Sequence, residues 1–351
     1  MKRIFITGAS GCIGHYVAEA LIQQTDHELF LLVRDRRKLK LDLEARPGIE
    51  VIEGNLREIQ HHRALLETMD VGILLATSWG DPTETYDINV TKTLELVHLL
   101  NRGACQQLLY FSTESILDRQ NQLLPQAETF GTDYIRTKSI ALQKLEQLAR
   151  VGDKQEGMTE AGDDRPTQDI SQGLSQGLSI VALFPTLVFG GDDRKPKSHI
   201  TAGLPEVLRW LWLARFLKAD ASFHFAHGAD MGQVVCHLVQ HPEQVPPAAD
   251  GKIPKLVLGG EPITVNAAIA ELCRYFGHRL LFQIPVSATL AEVIIKVFRI
   301  QMAPWDRFCL SYRHFTHANP VSPATFGLTT RVATLTALMQ VLGFSPRSRK
   351  F

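Results

Sequence analysis

The sequence predicts an α/β fold built on a doubly wound parallel sheet, followed by a smaller C-terminal α+β lobe. Strand-like and helix-like segments alternate up to about residue 190, and a glycine-rich turn joins the first strand to the first helix. The chain of 351 residues is longer than one such sheet requires, and its 45% apolar residues allow a large core.

The predicted elements follow one another in a regular order. Apolar runs predict strands at 2–7, 28–34, 49–53, 71–76, 107–112 and 179–186. Helices are predicted at 13–24, 57–68, 86–102 and 132–150. In a sheet of this kind, ligands bind at the carboxyl ends of the strands.

Residues 151–177 interrupt this alternation. They are polar, rich in Gly, Asp and Gln, and they overlap a short Ser-Gln-Gly-Leu duplication at 171–178. Because so little apolar surface could offset the entropy of ordering, we expect a mobile insertion between a helix and a strand. We place a first domain at 1–190 and a second lobe at 191–351. Strands or helices of the second lobe could also pack into the first domain.

The glycine-rich turn at 7–14 predicts a dinucleotide site. Gly8 permits a sharp turn, Gly11 permits close approach of a ligand to the main chain, and Gly14 lets the helix pack on the strand. The free N–H groups and the dipole of the helix N-terminus favour a pyrophosphate. The predicted contacts in this turn are Thr7, Gly8, Ser10, Gly11, Cys12, Ile13 and Gly14.

Two residues on the helix predicted at 132–150 suggest proton transfer. Tyr134 and Lys138 lie one helical turn apart on one face, so the ammonium group can stabilise a phenolate and lower the phenol pKa from about 10. Thr113 follows an apolar strand, between Ser112 and Glu114. The plainer alternatives are an exposed helix and a Ser/Thr turn at a strand end.

These motifs together resemble the short-chain dehydrogenase/reductase superfamily. The Gly-x-x-Gly-x-x-Gly spacing after Thr7 and the Tyr-x-x-x-Lys pair carry the resemblance. The segments 183–190 and 227–230 are similar to those of its extended branch, which includes NAD-dependent epimerases and dehydratases. The resemblance implies a Rossmann NAD(P)-binding domain at 1–190, a substrate-binding C-terminal lobe and reversible hydride transfer.

The resemblance also implies roles for single residues. Thr113 would orient a carbonyl, Lys138 would hold the nicotinamide ribose, and Asn89 would support the active site. The further cofactor contacts expected are Asn55, Leu56, Leu75, Ala76, Thr77, Ser112, Tyr134, Lys138 and Pro185.

The end of the second strand bears on which nicotinamide cofactor is used. NAD-binding members place an acid where this chain has Val33, and Arg34 follows immediately, with Lys38 close behind. A guanidinium suits the 2′-phosphate of NADP, so we favour NADP. Asp35 leaves NAD open as the alternative.

Two departures from the family pattern concern the substrate. Phe184 stands where the extended branch has an arginine before the proline, and Phe223 stands where nucleotide-sugar epimerases have an arginine that holds the diphosphate. A phenyl ring cannot supply those charge-assisted bonds. The stretches 204–216 and 294–312 are rich in aromatic residues. We expect them to be core, with an apolar substrate pocket and a face resting on a membrane as alternatives.

Composition limits the partners. The formal net charge is zero and the basic residues are dispersed, which argues against nucleic acid. Five scattered cysteines make neither a disulfide framework nor a metal site, and no apolar run is long enough to cross a bilayer. We therefore expect a cytoplasmic protein with a small-molecule substrate and no metal, and we leave open a homodimer and peripheral membrane contact.

The function predicted is NAD(P)(H)-dependent oxidation or reduction of a secondary alcohol or ketone in a fairly apolar small molecule. One alternative is a nucleotide-sugar epimerase or dehydratase with tightly held NAD(P), for which Glu114 stands at the position of a dehydratase acid. A second alternative is a nucleotide-bound scaffold subunit that lacks catalysis.

Overall fold

A seven-stranded parallel sheet forms the centre of the protein, as a computed structural model describes it for residues 1–154, 174, 177–248, 253–280, 282–287 and 301–346. In chain order the strands of this sheet are β1 (Arg3–Thr7), β2 (Glu28–Val33), β3 (Ile49–Glu53), β4 (Val71–Leu74), β5 (Gln107–Phe111), β6 (Ser179–Pro185) and β11 (Lys255–Leu258). Across the sheet their order is β11-β6-β5-β4-β1-β2-β3, and every neighbouring pair is parallel. The predicted α/β fold class is confirmed.

The inner strands are largely apolar because both faces of the sheet are covered, whereas the edge strand β3 carries the exposed Glu50 and Glu53. All five residues of β5 are buried, and four of the five in β1 are. Two clusters of buried side chains fill the two sides of the sheet, one around Phe5, Leu108 and Phe184, the other around Ile4, Leu109 and Val181. Alternate residues of one strand therefore enter different clusters.

Helices cover both faces. In chain order they are α1 (Cys12–Gln24), α2 (Arg63–Leu66), α3 (Pro82–Tyr86), α4 (Thr93–Asn101), α5 (Pro125–Phe130), α6 (Asp133–Lys154), α7 (His199–Arg209), α8 (Leu211–Ala214), α9 (Gly228–Gln240), α10 (Val265–Tyr275), α11 (Pro304–Tyr312) and α12 (Leu335–Val341). Short 3₁₀ turns occupy Arg36–Lys38, Leu56–His62, Glu114–Ile116, Pro242–Gln244 and Pro323–Phe326.

Two predicted helices are interrupted. The helix predicted at 57–68 is a 3₁₀ turn followed by the single-turn α2, and Glu58 has the non-helical angles φ −106° and ψ 23°. The helix predicted at 86–102 begins earlier, as α3, and passes through a π-helical turn at Asp87–Lys92 before α4. Its π turn carries Asn89, a predicted site residue, and π turns often mark such sites.

The C-terminal half contributes to the central sheet as well as to its own small core. Strand β11 extends the sheet beyond β6, and α9 packs against α1. Because the sheet draws on residues from both sides of 190, the domain boundary there stays a prediction. The insertion predicted at 151–177 lies almost entirely outside the described residues.

Short strands build the rest of that half. They are β7 (Leu187–Phe189), β8 (Leu217–Lys218), β9 (Ser222–Phe223), β10 (Phe225–His227), β12 (Ile263–Thr264), β13 (Ile284–Pro285) and β14 (His314–Phe315). They form a β10-β7 pair, a β12-β9-β14 sheet and a β13-β8 pair. A third apolar cluster, which includes Phe189, Phe225 and Leu338, holds this half together.

The aromatic stretches do not behave alike. Trp305 is buried in the core, as predicted, with Phe308 packed beside it. Trp210 and Trp212 are 55% and 54% exposed, so the core prediction is wrong for these two side chains. Within the described part of the chain, every helix is too short or too polar to span a membrane.

Candidate active site

The glycine turn between β1 and α1 has the geometry that its sequence predicts. Gly8 has φ +74°, and a Cβ there would lie 2.7 Å from the backbone nitrogen of Ala76. A Cβ on Gly14 would lie 2.2 Å from the carbonyl oxygen of Gly8, so only glycine permits this helix packing. The Thr7 hydroxyl accepts hydrogen bonds of 3.2 Å from the amides of Leu75 and Ala76, which ties β1 to the end of β4.

The N-terminus of α1 fits a pyrophosphate. Gly11 precedes the helix, and neither a capping side chain nor a first-turn acid occurs there among the described residues. Backbone N–H groups at Cys12 and Ile13 begin a helix whose first donors lack intrahelical partners. Burial raises the pKa of the Cys12 thiol to about 11, so the side chain is neutral and adds no negative charge to this turn. Ser10 lies in the same turn.

Positive charge lies beside the end of β2. Val33 is buried, whereas Arg34 and Lys38 are exposed. The Asp35 carboxylate accepts hydrogen bonds of 3.0 and 3.1 Å from the Arg37 guanidinium, and this pairing lowers the pKa of that carboxyl. The one acid of this segment is therefore occupied by a neighbouring cation.

The other predicted cofactor contacts lie along the carboxyl ends of the strands. Asn55 follows β3, and its side-chain oxygen accepts a 3.1 Å hydrogen bond from the Arg57 amide. Leu56 is buried in the core. Residues 75–77 continue directly from β4, and Pro185 is the last residue of β6.

Asn89 is fully buried and joins two elements of the site. Its Oδ1 accepts hydrogen bonds of 2.9 Å from the Thr77 hydroxyl and the Ser78 amide. Its Nδ2 donates to the Ser78 carbonyl and to the Thr137 hydroxyl, each at 3.1 Å. The loop after β4 is thereby fixed to α6 one residue before Lys138.

Tyr134 and Thr113 lie in contact. Tyr134 is in the first turn of α6, and its phenol interacts with the side chain of Thr113, just beyond β5. The predicted lowering of the phenol pKa by Lys138 is wrong for this structure: burial raises the pKa of Tyr134, and the interaction with Thr113 opposes that shift only in part. The phenol is therefore protonated at neutral pH, as a proton donor must be.

Lys138 points at the end of the same strand. Its Nζ donates a 2.9 Å hydrogen bond to the Phe111 carbonyl and lies 5.2 Å from the ring centroid of Tyr110. The residue is 3% exposed, and burial lowers its pKa to about 7. Ser112, also buried, separates Phe111 from Thr113. The structure thus brings Thr113 and Tyr134 together and places the Lys138 ammonium at the carboxyl end of the same strand, β5.

Trp79 lies against Tyr134 and was not predicted from the sequence as a site residue. Its indole stacks on the Tyr134 ring with centroids 4.0 Å apart, and it also lies 5.3 Å from the His199 ring. The available signal was a lone aromatic residue in the loop after β4, immediately before Gly80 and Asp81.

Glu114 has a buried partner from the C-terminal half. Its carboxylate lies 3.2 Å from His317 Nε2, and both residues are less than 10% exposed. Burial raises the pKa of Glu114, and His317 opposes this shift. His224 accepts a 3.0 Å hydrogen bond from the His317 amide, so Glu114 stands at the edge of a histidine cluster.

The two phenylalanines at the expected arginine positions lie in apolar surroundings. Phe184 is fully buried in the core beside the sheet, and Phe223 packs against the apolar cluster of the C-terminal half. Neither supplies a donor for a phosphate.

Comparison with known proteins agrees with the motifs and the fold. The model of the NAD dependent epimerase/dehydratase family matches residues 4–253. A UDP-glucose 4-epimerase from Klebsiella pneumoniae is 29% identical over an alignment of 134 residues, and the match covers 34% of this chain and 96% of that protein.

Solved structures share the whole fold at low identity. The crystal structure of gox2253 has a TM-score of 0.64 and 18% identity, covering 98% of this chain and 100% of its own. WbmG from Bordetella bronchiseptica, solved with NAD and UDP, has a TM-score of 0.58 and 16% identity, covering 98% of this chain and 96% of its own. The resemblance to the extended short-chain dehydrogenase/reductases is confirmed, and, since the family model spans most of its length, the chain is an enzyme that belongs to the NAD dependent epimerase/dehydratase family.

Proposed function

We propose that this protein transfers a hydride between NADP(H) and a secondary alcohol or ketone of a fairly apolar small molecule. The observation that carries the proposal is the contact of Thr113 with Tyr134, beside the buried Lys138, at the carboxyl end of β5. A protonated phenol, a hydroxyl and an ammonium group at one strand end suit proton transfer to a carbonyl oxygen.

Each side chain has a defined role in the proposed reaction. Tyr134 gives its phenolic proton to the carbonyl oxygen during reduction and takes it back during oxidation. Lys138, when charged, stabilises the phenolate that is left and holds the nicotinamide ribose. Thr113 orients the carbonyl, and Asn89 keeps the loop after β4 in register with α6. The bound nicotinamide supplies or accepts the hydride.

Preference for NADP is part of the proposal. The α1 N-terminus would hold the pyrophosphate, and Arg34 with Lys38 would hold the 2′-phosphate. The pairing of Asp35 with Arg37 supports this choice, because the carboxylate that could select a free ribose is bonded to a neighbouring guanidinium. NAD, the cofactor in the family's name, is the alternative.

The proposed substrate is apolar because both expected arginines are phenylalanines in apolar surroundings. The five unpaired cysteines suit a reducing compartment, so we place the reaction in the cytoplasm. A homodimer stays a prediction.

A second candidate is nucleotide-sugar epimerisation or dehydration. It is favoured by the similarity to a UDP-glucose 4-epimerase and by Glu114. It is weakened because Glu114 is buried against His317 and because phenylalanine replaces both arginines.

Thermal shift distinguishes the two candidates. With NADPH present, aliphatic or aromatic ketones should raise the Tm, whereas UDP and UDP-glucose should not, since ligands stabilise the state that binds them. A shift with UDP-glucose that disappears in Lys195→Ala, Lys197→Ala or Arg209→Ala would promote the epimerase, because one of those side chains would then supply the charge of the missing arginines.

A further inference from the structure

A buried histidine connects the glycine turn to the basic segment after β2. His15 is fully buried in the first turn of α1. Its Nε2 lies 3.1 Å from the backbone nitrogen of Lys40, and its Nδ1 lies 2.9 Å from the carbonyl oxygen of Gly11.

These two contacts fix the protonation of the ring. The Lys40 amide can only donate, so Nε2 accepts and carries no proton. Nδ1 therefore carries the proton and donates it to the Gly11 carbonyl. Burial lowers the pKa of His15, which keeps the imidazole neutral; Lys195 and Glu19 are the charged groups that act on it, with opposite sign.

The two backbone groups belong to different parts of the proposed cofactor site. Gly11 precedes the helix N-terminus that would hold the pyrophosphate. Lys40 follows Arg34 and Lys38, which would hold the 2′-phosphate, and the ring also contacts the backbone of Lys38. Both phosphate groups belong to one ligand, so the spacing between these segments decides whether both can be held together.

We infer that His15 is a positioning residue that sets this spacing and thereby strengthens the preference for NADP over NAD. The inference rests on the proposed function, since it requires the segment 34–38 to contact the 2′-phosphate. His15 makes no contact with the cofactor in this account. It acts through the backbone of Lys40 and Gly11.

The test measures NADPH and NADH affinity by calorimetry in the full-length protein. His15→Leu removes both contacts and should weaken NADPH binding about tenfold while changing NADH binding less than about threefold. His15→Gln can place an amide oxygen near Lys40 and should recover most of the preference. The shorter side chain in His15→Asn reaches only toward Gly11, so this variant should not recover the preference for NADPH.

His27→Leu is the matched control. His27 also accepts a hydrogen bond from a backbone amide, that of Lys2 at 3.3 Å, but it lies at the amino ends of β1 and β2, opposite the glycine turn. His27→Leu should leave the ratio of NADPH affinity to NADH affinity unchanged.

The outcomes distinguish a failure of the proposed NADP preference from a failure of the role proposed for His15. Equal affinity of the unmodified protein for NADPH and NADH would overturn the cofactor proposal and this inference with it. A preference that survives in His15→Leu, or equal weakening of both cofactors, would overturn the inference alone. If His15→Leu does not fold, the comparison of His15→Gln with His15→Asn decides, and equal ratios in those two would overturn it.

Discussion

The indole of Trp79 lies face to face with the phenol of Tyr134, with ring centroids 4.0 Å apart and 12° between the planes. The indole is 56% exposed and also contacts His199 at the start of α7. Asn89 fixes the preceding residue, Ser78, whereas the following Gly80 has φ +110° with open space around it. Trp79 thus covers one face of the proposed acid/base from a loop that is anchored on one side.

Trp79 should report cofactor binding. We propose that the nicotinamide binds beside Tyr134, so NADPH should quench the fluorescence of Trp79 more than that of any other tryptophan. Trp79→Phe should remove the larger share of the quenching, and Trp212→Phe, which alters an exposed indole on α8, should remove little. Titration of both variants with NADPH checks this, and equal residual quenching would place the nicotinamide elsewhere.

Burial of Lys138 should make stability depend on pH in the cofactor-free protein. Its pKa is lowered from 10.5 to about 7, so the folded state binds this proton less tightly than the unfolded state does. The stabilising contribution is therefore fully present above the ordinary pKa near 10.5 and is lost as pH falls towards 7. Each unit of the difference is worth about 1.4 kcal/mol.

Lys138→Met should remove that dependence. Urea unfolding between pH 7 and 10 should show the unmodified protein gaining stability relative to Lys138→Met by several kcal/mol as pH rises. Lys144→Met, on the same helix, is the control and should follow the unmodified protein. Parallel pH profiles for the unmodified protein and Lys138→Met would mean that Lys138 is solvated in solution.

Arg34 should carry the preference for NADP. Loss of one charge-assisted contact costs about 1.5–3 kcal/mol, so Arg34→Ala should weaken NADPH binding by at least tenfold and leave NADH binding nearly unchanged. Arg36→Ala, a nearby exposed arginine, serves as the control. Calorimetry that found NADPH affinity unaltered in Arg34→Ala would assign the 2′-phosphate to other side chains.

The sequence was most informative where short spacing along the chain determines geometry. The turn from Gly8 to Gly14 and the pair Tyr134 and Lys138 each lie within a few residues, so steric rules and the helical repeat place them. The sheet followed from apolar runs, and six of its seven strands were predicted. The seventh, β11, was left open as a return from the C-terminal half.

Contacts between distant segments were not predictable in this way. Trp79 meets Tyr134, and Glu114 meets His317, only because the fold brings remote loops to one edge of the sheet. The 3₁₀ turn at Leu56–His62, which replaces the first part of the helix predicted at 57–68, was not predicted. Its cause is local, because the Asn55 side chain caps this turn.

Transfer of deuterium from NADPH labelled at nicotinamide C4 tests the central claim most directly. With a ketone selected by thermal shift, the label should appear on the carbinol carbon of the released alcohol, in equal amount to the NADP⁺ formed. Tyr134→Phe lacks the transferable proton and should slow this transfer by roughly 10²-fold or more while NADPH still binds. Tyr275→Phe is the control: it removes a phenol hydroxyl that donates to the Phe344 carbonyl, and it should retain deuterium transfer. Interconversion of a UDP-sugar without net formation of NADP⁺, or undiminished transfer in Tyr134→Phe, would contradict the account.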